Sequence, residues 1–133
     1  MSSGREEISS EAAPEAIGPY SQAILHGDHL FCSGQIPIDP ETGDLVVGGV
    51  AEQTERCLAN LEAICSTAGT RLAEAVRLTV YTTALDEFSE INRVFAAHFE
   101  ETVPPARATV GVAQLPLGAQ VEIDAIVASP AGG

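Results

Sequence analysis

Apolar residues recur at helical spacing after Gly48 and Gly49, with charged residues between them. Steps of three and four residues place such positions on one face of a helix. Gly69 is suited to end this helix in the left-handed conformation. We therefore predict a first helix whose buried face comprises Val50, Thr54, Cys57, Leu58, Leu61, Ile64, Cys65 and Ala68.

A second helix is expected between Asp86 and the proline pair Pro104-Pro105. The side chain of Asp86 can cap the first turn, and the two prolines cannot continue a helix. The apolar stripe of this helix is formed by Phe88, Ile91, Phe95 and Phe99.

Runs of β-branched or alternating residues predict five strands. In the last run, apolar residues alternate with Glu122 and Asp124, the period of two that is typical of a half-buried strand. Gly27-Asp28 suits a hairpin, and residues 39–43 suit a turn. The strands are expected at 20–25, 29–36, 76–83, 109–115 and from residue 121 onward, and the last two are expected to pair.

The order ββαβαββ predicts one α+β domain over residues 1–133, with residues 1–15 as a partly ordered N-terminal tail. A mixed sheet with two helices on one face buries the apolar stripes of both helices. The opposite face of the sheet then needs cover, which in so small a chain usually comes from further copies.

Charge excludes several classes of function. All six basic residues are arginines, against nineteen Asp and Glu, so the formal net charge is −13. The absence of lysine rules out a lysine Schiff base, pyridoxal-phosphate chemistry and a P-loop. Nucleic acid is not an expected partner because neutralising phosphates requires clustered basic residues. We interpret the acidity as a contribution to solubility rather than as a recognition surface.

The cysteines and histidines do not form a metal-binding pattern. The spacing of Cys32, Cys57 and Cys65 matches no zinc or disulfide framework, which favours a reducing, cytoplasmic location. All three are expected to be buried. His98 and Glu101 have helical spacing but lack a third ligand. No secretory signal or membrane-spanning run is present, so we expect neither a membrane partner nor a bound metal.

Four local strings give the chain a more specific resemblance: AIGPYSQ at 16–22, SGQIP at 33–37, PARATV at 105–110 and VEIDAI at 121–126, with FSEIN at 88–92 between them. In this order they resemble the Rid family of reactive intermediate deaminases, and its RidA branch in particular. The resemblance implies a chorismate-mutase-like homotrimer with a central barrel and active sites between subunits.

The same resemblance implies an activity, namely hydrolysis of 2-aminoacrylate and other 2-imino acids to 2-keto acids and ammonia, without metal or organic cofactor. This reaction prevents damage by reactive metabolites. Two alternatives remain: a non-catalytic, ligand-binding or regulatory trimer of the same fold, and a ribonuclease or translation inhibitor. The acidic composition makes the last the least attractive.

The resemblance also assigns roles to five residues. Arg107 would hold the substrate carboxylate, for which a guanidinium is suited because it can donate two parallel hydrogen bonds. Glu122 would orient water or relay a proton, and Tyr20, Ser33 and Asn92 would line the cleft. Each has an ordinary alternative: a surface ion pair for Arg107, a solvated strand position for Glu122, strand ends for Tyr20 and Ser33, and an exposed helix face for Asn92.

Thr109 departs from the pattern of the family, in which several members have cysteine at this position. The implied reaction needs no thiol, so the difference bears only on thiol-dependent regulation.

Overall fold

The computed structural model describes residues 4–130 and contains six strands and two helices. Short 3₁₀ turns lie at Leu72–Glu74, Leu85–Glu87 and Pro116–Gly118. The elements in chain order are β1 (Arg5–Ile8), β2 (Ala23–His26), β3 (His29–Gln35), α1 (Val50–Thr67), β4 (Ala75–Thr82), α2 (Phe88–His98), β5 (Ala106–Gly111) and β6 (Val121–Ala128).

The six strands form one mixed sheet in the order β1-β2-β3-β6-β4-β5. Every neighbouring pair is antiparallel except β4 and β5, which run parallel. Both helices contribute to a single core on one side of this sheet. The α+β class and the placement of both helices on one face are thus confirmed.

The pairing of the last two strands differs from the expectation. β6 lies between β3 and β4, whereas β5 pairs in parallel with the outer side of β4. Strands 5 and 6 are joined by a short connection but are not neighbours. Hydrophobic alternation identifies which face of a strand is buried, but it does not specify which strand lies beside it.

Both ends of α1 agree with the sequence, whereas the two expectations for the ends of α2 are not met: α1 begins directly after Gly48 and Gly49, with Gly49 as its N-cap. Gly69 follows α1 with φ +84, as a left-handed C-terminal residue should. At α2 the N-cap is Glu87 and no side chain caps the helix, so the expectation for Asp86 is wrong, because that residue lies in a 3₁₀ turn. The helix also ends at His98, six residues before Pro104.

The first strand lies within the segment for which the sequence indicated a tail. Arg5–Ile8 pairs with Ala23–His26 in antiparallel register, and Ile8 is buried. Only this terminal residue of the strand faces the core, so the segment shows little of the apolar alternation by which a strand is recognised.

The core lies between the helices and the sheet. α1 buries its predicted stripe from Val50 to Cys65, whereas Ala68 lies just beyond the helix and is partly buried. β6 buries Val121, Ile123, Ala125 and Val127 on the same side. Full burial of an aliphatic side chain of this size contributes about 1.5–3 kcal/mol. All three cysteines are buried and free, as predicted. No helix within residues 4–130 is both long and apolar enough to span a bilayer.

Candidate active site

Arg107 lies on β5, at the edge of the sheet, and its side chain points toward α2. In the register of the sheet Arg107 is opposite Leu78, which is fully buried beneath the helices. Its Nη2 donates a 2.6 Å hydrogen bond to Oδ1 of Asn92. The guanidinium carbon lies 4.7 Å from the ring centre of Phe95 and 5.4 Å from that of Phe88, within the range of cation–π attraction.

These four residues, Arg107, Asn92, Phe88 and Phe95, are here called the arginine site. None of the ion pairs formed within residues 4–130 includes Arg107, although acidic residues outnumber basic ones threefold. Partial burial lowers the pKa of the guanidinium from its usual value, but Arg107 stays charged at neutral pH. A partly desolvated cation without a carboxylate partner is suited to bind an anion from outside the chain.

The two aromatic residues of the arginine site were not among the predicted site residues. Phe88 is 40% exposed and therefore does not belong to the core, contrary to its place in the predicted apolar stripe. A signal was available in the sequence, because residues 88, 92 and 95 are spaced by four and three and so share one face of a helix. That face is opposite the arginine of the neighbouring edge strand.

Glu122 lies on the other face of the sheet. The face away from the helices, here called the open face, is formed by alternate residues of three adjacent strands. None of these side chains is fully buried, because no helix of this chain packs over them. The open face comprises Phe31, Arg77, Thr79, Tyr81, Glu122, Asp124 and Ile126.

The absence of a side chain at Gly34 leaves space for the carboxylate of Glu122. The pairing of β3 with β6 shifts register between Cys32 and Gln35, so that Ser33 and Gly34 form a β-bulge. Oε2 of Glu122 occupies the space that a Cβ at position 34 would need. Any residue with a side chain at Gly34 would therefore displace this carboxylate.

Burial raises the pKa of Glu122, and the negative charge of Asp124 raises it further. Asp124 itself accepts a 3.0 Å hydrogen bond from the hydroxyl of Tyr81. A carboxyl group whose pKa is raised toward neutrality is better able to exchange protons during a reaction than an ordinary surface glutamate.

Tyr20 and Ser33 lie beside Gly34, against which the Glu122 carboxylate packs, and not beside Arg107. Tyr20 and Gly34 line the same small recess, and the Tyr20 ring is 47% exposed. The Ser33 hydroxyl donates to the carbonyl of Ser21 at 2.6 Å, and its amide donates to Gln22 at 2.9 Å. The amide of Ser33 is thus already engaged, whereas its hydroxyl oxygen can still accept a hydrogen bond. We call Tyr20, Ser33, Gly34 and Glu122 the glutamate site.

The structure therefore divides the five predicted residues into two groups. Arg107 is opposite Leu78, and Glu122 is opposite Tyr81. Strand β4 lies between them, which corresponds to about 10 Å across the sheet and about 10 Å along it. Their side chains also point to opposite faces. Asn92 joins Arg107, whereas Tyr20 and Ser33 join Glu122.

Thr109 lies two residues beyond Arg107 on β5, opposite the buried Val80. Its hydroxyl is shielded from solvent and has no hydrogen-bond partner within residues 4–130. Over the same residues, no three His, Cys, Asp or Glu side chains lie close enough together to hold a metal ion. His98 instead packs edge-on against the ring of Phe99, with ring centres 4.8 Å apart.

Comparison with known proteins adds the family to this geometry. The model of a family described as endoribonuclease L-PSP matches residues 10–129. A protein of Sinorhizobium fredii named RutC family protein y4sK is 52% identical over 92% of this chain and 96% of its own length. The bovine protein named 2-iminobutanoate/2-iminopropanoate deaminase is 44% identical, over 92% of this chain and 88% of its own.

A solved structure agrees with the fold described above. It is a protein from Yersinia pestis, YyfA, of unknown function and assigned to the Rid family; it superposes with a TM-score of 0.90 at 44% identity, over 93% of this chain and 98% of that one. Sequence and structure agree over nearly the whole length, and on this basis the chain belongs to the Rid family.

Proposed function

We propose that this protein hydrolyses 2-imino acids and their enamine tautomers, including 2-aminoacrylate, to 2-keto acids and ammonia. The observation that carries the proposal is Arg107, a partly buried cation with no carboxylate partner within residues 4–130 of a strongly acidic chain. The bovine relative is named for the deamination of 2-iminobutanoate and 2-iminopropanoate, whose carboxylates would need such a partner.

Arg107 holds the substrate carboxylate. Its hydrogen bond to Asn92 uses one N–H group, and a guanidinium has five, so a bidentate contact with a carboxylate remains available. The rings of Phe88 and Phe95 restrict the guanidinium without neutralising it. Each charge-assisted hydrogen bond contributes about 1.5–3 kcal/mol to binding.

Glu122 handles the protons of the reaction. Water adds to the electrophilic carbon of the protonated imine and forms a new C–O bond, with Glu122 accepting a proton from the water. The same carboxyl group returns this proton to the nitrogen; the C–N bond then breaks with its electron pair on the departing ammonia, and Glu122 accepts the hydroxyl proton as the keto group forms. Protons and electrons balance without a metal, an organic cofactor or a redox partner.

The two sites act together only if different copies of the chain supply them. The carboxylate carbon and the imine carbon of the substrate are bonded to each other, about 1.5 Å apart, whereas Arg107 and Glu122 of one chain face opposite sides of the sheet. A homotrimer that places the edge strand of one copy beside the open face of the next would bring them together. It would also cover Phe31, which is 45% exposed.

A nuclease activity receives no support from the charges. Two of the arginines, Arg71 and Arg93, are paired with glutamates, and an acidic chain without lysine offers no basic track for a phosphate backbone. The free, buried state of all three cysteines supports a reducing, cytoplasmic location.

The proposal is tested by generating 2-imino acids in situ with an amino-acid oxidase in the presence of a reagent that traps the imine. The measurement is how much the added protein lowers the rate at which the trapped product forms. We expect a concentration-dependent acceleration of imine loss with equimolar ammonia, and a trimeric mass by light scattering. If the purified protein leaves the rate of imine loss unchanged for every imino acid, it is a binding protein and the proposed activity is wrong.

A further inference from the structure

A groove of about 570 Å³ opens beside Arg107, between α2 and the segment that leads into β5. The floor of the groove is one face of α2, where Asn92, Phe95, Ala96 and Phe99 follow at helical spacing. Pro104 and Pro105 form the opposite wall. The hydrogen bond between Arg107 and Asn92 lies at one end of this groove, here called the α2 groove. The α2 groove is therefore continuous with the arginine site.

The groove is much longer than a small substrate requires. From Asn92 to Phe99 the helix rises about 10 Å, and the groove is lined there by Ala96, the two prolines and the outer edges of the otherwise buried Phe95 and Phe99. The side chain of 2-aminoacrylate or of 2-iminopropanoate contains a single carbon and would leave nearly all of this surface in contact with water. An extended apolar side chain attached to a carboxylate at Arg107 would cover it.

We propose that the α2 groove binds the side chain of the substrate and makes this protein selective for 2-imino acids with large apolar side chains, such as those derived from leucine and phenylalanine. The inference rests on the proposed function, because it requires that Arg107 holds the substrate carboxylate. An added methylene group in an apolar pocket changes kcat/KM by about 10-fold or more, so a whole isobutyl or benzyl group gives a measurable preference.

Glu100 adds selectivity against substrates whose side chains are negatively charged. It lines the far end of the α2 groove, where it would lie near the tip of a long side chain. A second carboxylate on the substrate would be repelled there. Imino acids derived from glutamate are therefore poor substrates even though their length fits the groove.

A matched pair of variants isolates the groove. Ala96→Trp places an indole in the α2 groove, whereas Ala97→Trp places the same side chain one residue further on, in a separate hollow between α1 and α2. Both alanines are exposed on the same helix, so both variants should fold. Each is assayed with imino acids generated from alanine, leucine, phenylalanine and glutamate, and the trimer mass of each is measured.

We expect wild-type protein to have kcat/KM values at least about 10-fold higher for the leucine- and phenylalanine-derived imines than for the alanine-derived imine. Ala96→Trp should remove this preference by lowering kcat/KM for the leucine- and phenylalanine-derived imines most, and Ala97→Trp should resemble wild type.

Three results would overturn the inference while leaving the proposed activity intact: an alanine-derived imine hydrolysed as fast as the larger ones, an equal loss on all substrates in Ala96→Trp, or dissociation of the trimer in that variant, which would make the groove a contact between subunits. Absence of turnover for every imine by wild-type protein would instead remove the proposed function, and the inference with it.

Discussion

The arginine site and the glutamate site differ in how the chain treats the charge that each contains. Arg107 stands over two aromatic rings and hydrogen-bonds to a neutral amide. Glu122 lies over a glycine backbone, and burial together with Asp124 raises its pKa. The arginine site keeps a permanent cation without a carboxylate partner, whereas the glutamate site raises the pKa of a carboxyl group.

This difference indicates a division of labour. A cation that never loses its proton is suited to binding, whereas a carboxyl group with a raised pKa is suited to proton transfer. Since the two lie on opposite faces of the sheet, the comparison also predicts that a single chain is incomplete. Each of the following experiments alters one of the two sites or the relation between them.

The largest effect is expected at Arg107. Arg107→Ala removes both hydrogen bonds to the substrate carboxylate, a loss of about 3–6 kcal/mol or roughly 100-fold or more in kcat/KM. Arg107→Lys keeps the charge but not the planar fork and should recover only a small part. The measurements are kcat/KM and the melting temperature, with the trimer mass confirmed for each variant.

Folding should change little in both Arg107 variants, because the guanidinium makes only one hydrogen bond within residues 4–130. Turnover near that of wild type in Arg107→Ala, combined with a lowered melting temperature, would show that Arg107 has a structural role and would end the proposed mechanism.

Mixing two inactive variants tests whether the sites lie between copies. Arg107→Ala and Glu122→Ala are each expected to be inactive alone. When the two chains are refolded together at equal amounts, random assembly gives about a quarter of the sites an intact arginine and an intact glutamate from different chains. The measurement is kcat/KM of the mixture, and mass spectrometry of differently tagged chains verifies mixed trimers.

Activity near a quarter of wild type would support sites shared between copies. Mixed trimers that remain as inactive as the separate variants would show that both residues act within one chain, and the assignment of at least one of them would then be wrong.

Asn92→Asp, which replaces the amide nitrogen by an oxygen, is expected to lower kcat/KM less than Arg107→Ala does. It places a carboxylate at the 2.6 Å contact with Arg107, so that the guanidinium gains an internal partner which competes with the substrate. We expect KM to rise about 10-fold with little change in kcat, because ground-state and transition-state binding weaken together. The kinetics are compared with those of Asn92→Ala, which removes the bond without adding charge.

Ser89→Asp is the matched control for Asn92→Asp, since it adds the same charge to an exposed position of the same helix. If this variant raises KM as much as Asn92→Asp does, the effect comes from the overall charge and not from pairing with Arg107.

The smallest effect is expected on stability at Glu122. Because the pKa of Glu122 is raised in the folded protein, the folded state binds more protons than the unfolded state, and this residue's contribution to stability falls as pH rises through the folded pKa. Glu122→Gln should therefore be more stable than wild type at neutral pH, with the difference vanishing below the unfolded pKa of about 4.3.

Urea unfolding of both proteins between pH 4 and pH 8 at one protein concentration measures this difference. Glu41→Gln, at an exposed turn position, controls for the loss of one negative charge. A difference that grows as the pH falls would have the wrong sign and would show that the carboxylate of Glu122 is stabilised rather than destabilised by its surroundings.

The sequence by itself determined both helices, five of the six strands and most of their buried faces. The stripe from Val50 to Cys65 and the alternation from Val121 to Val127 are local patterns, and each is buried as predicted. Such patterns can be read directly because helical and strand periods fix which side chains share a face. The four strings that resemble the Rid family likewise identified Arg107 and Glu122 as residues to examine.

Only the tertiary structure decided how these faces are arranged. The sequence placed residues 109–115 beside the last strand, but β5 pairs with β4 and leaves Arg107 at the edge of the sheet. It also assigned Phe88 to the core, whereas the ring lies next to Arg107. Both outcomes depend on which elements become neighbours, and that choice minimises exposed apolar surface over the whole chain. The periodicity of the sequence contains no information about strand order. The separation of Arg107 from Glu122 therefore follows only from the order of the strands in the sheet.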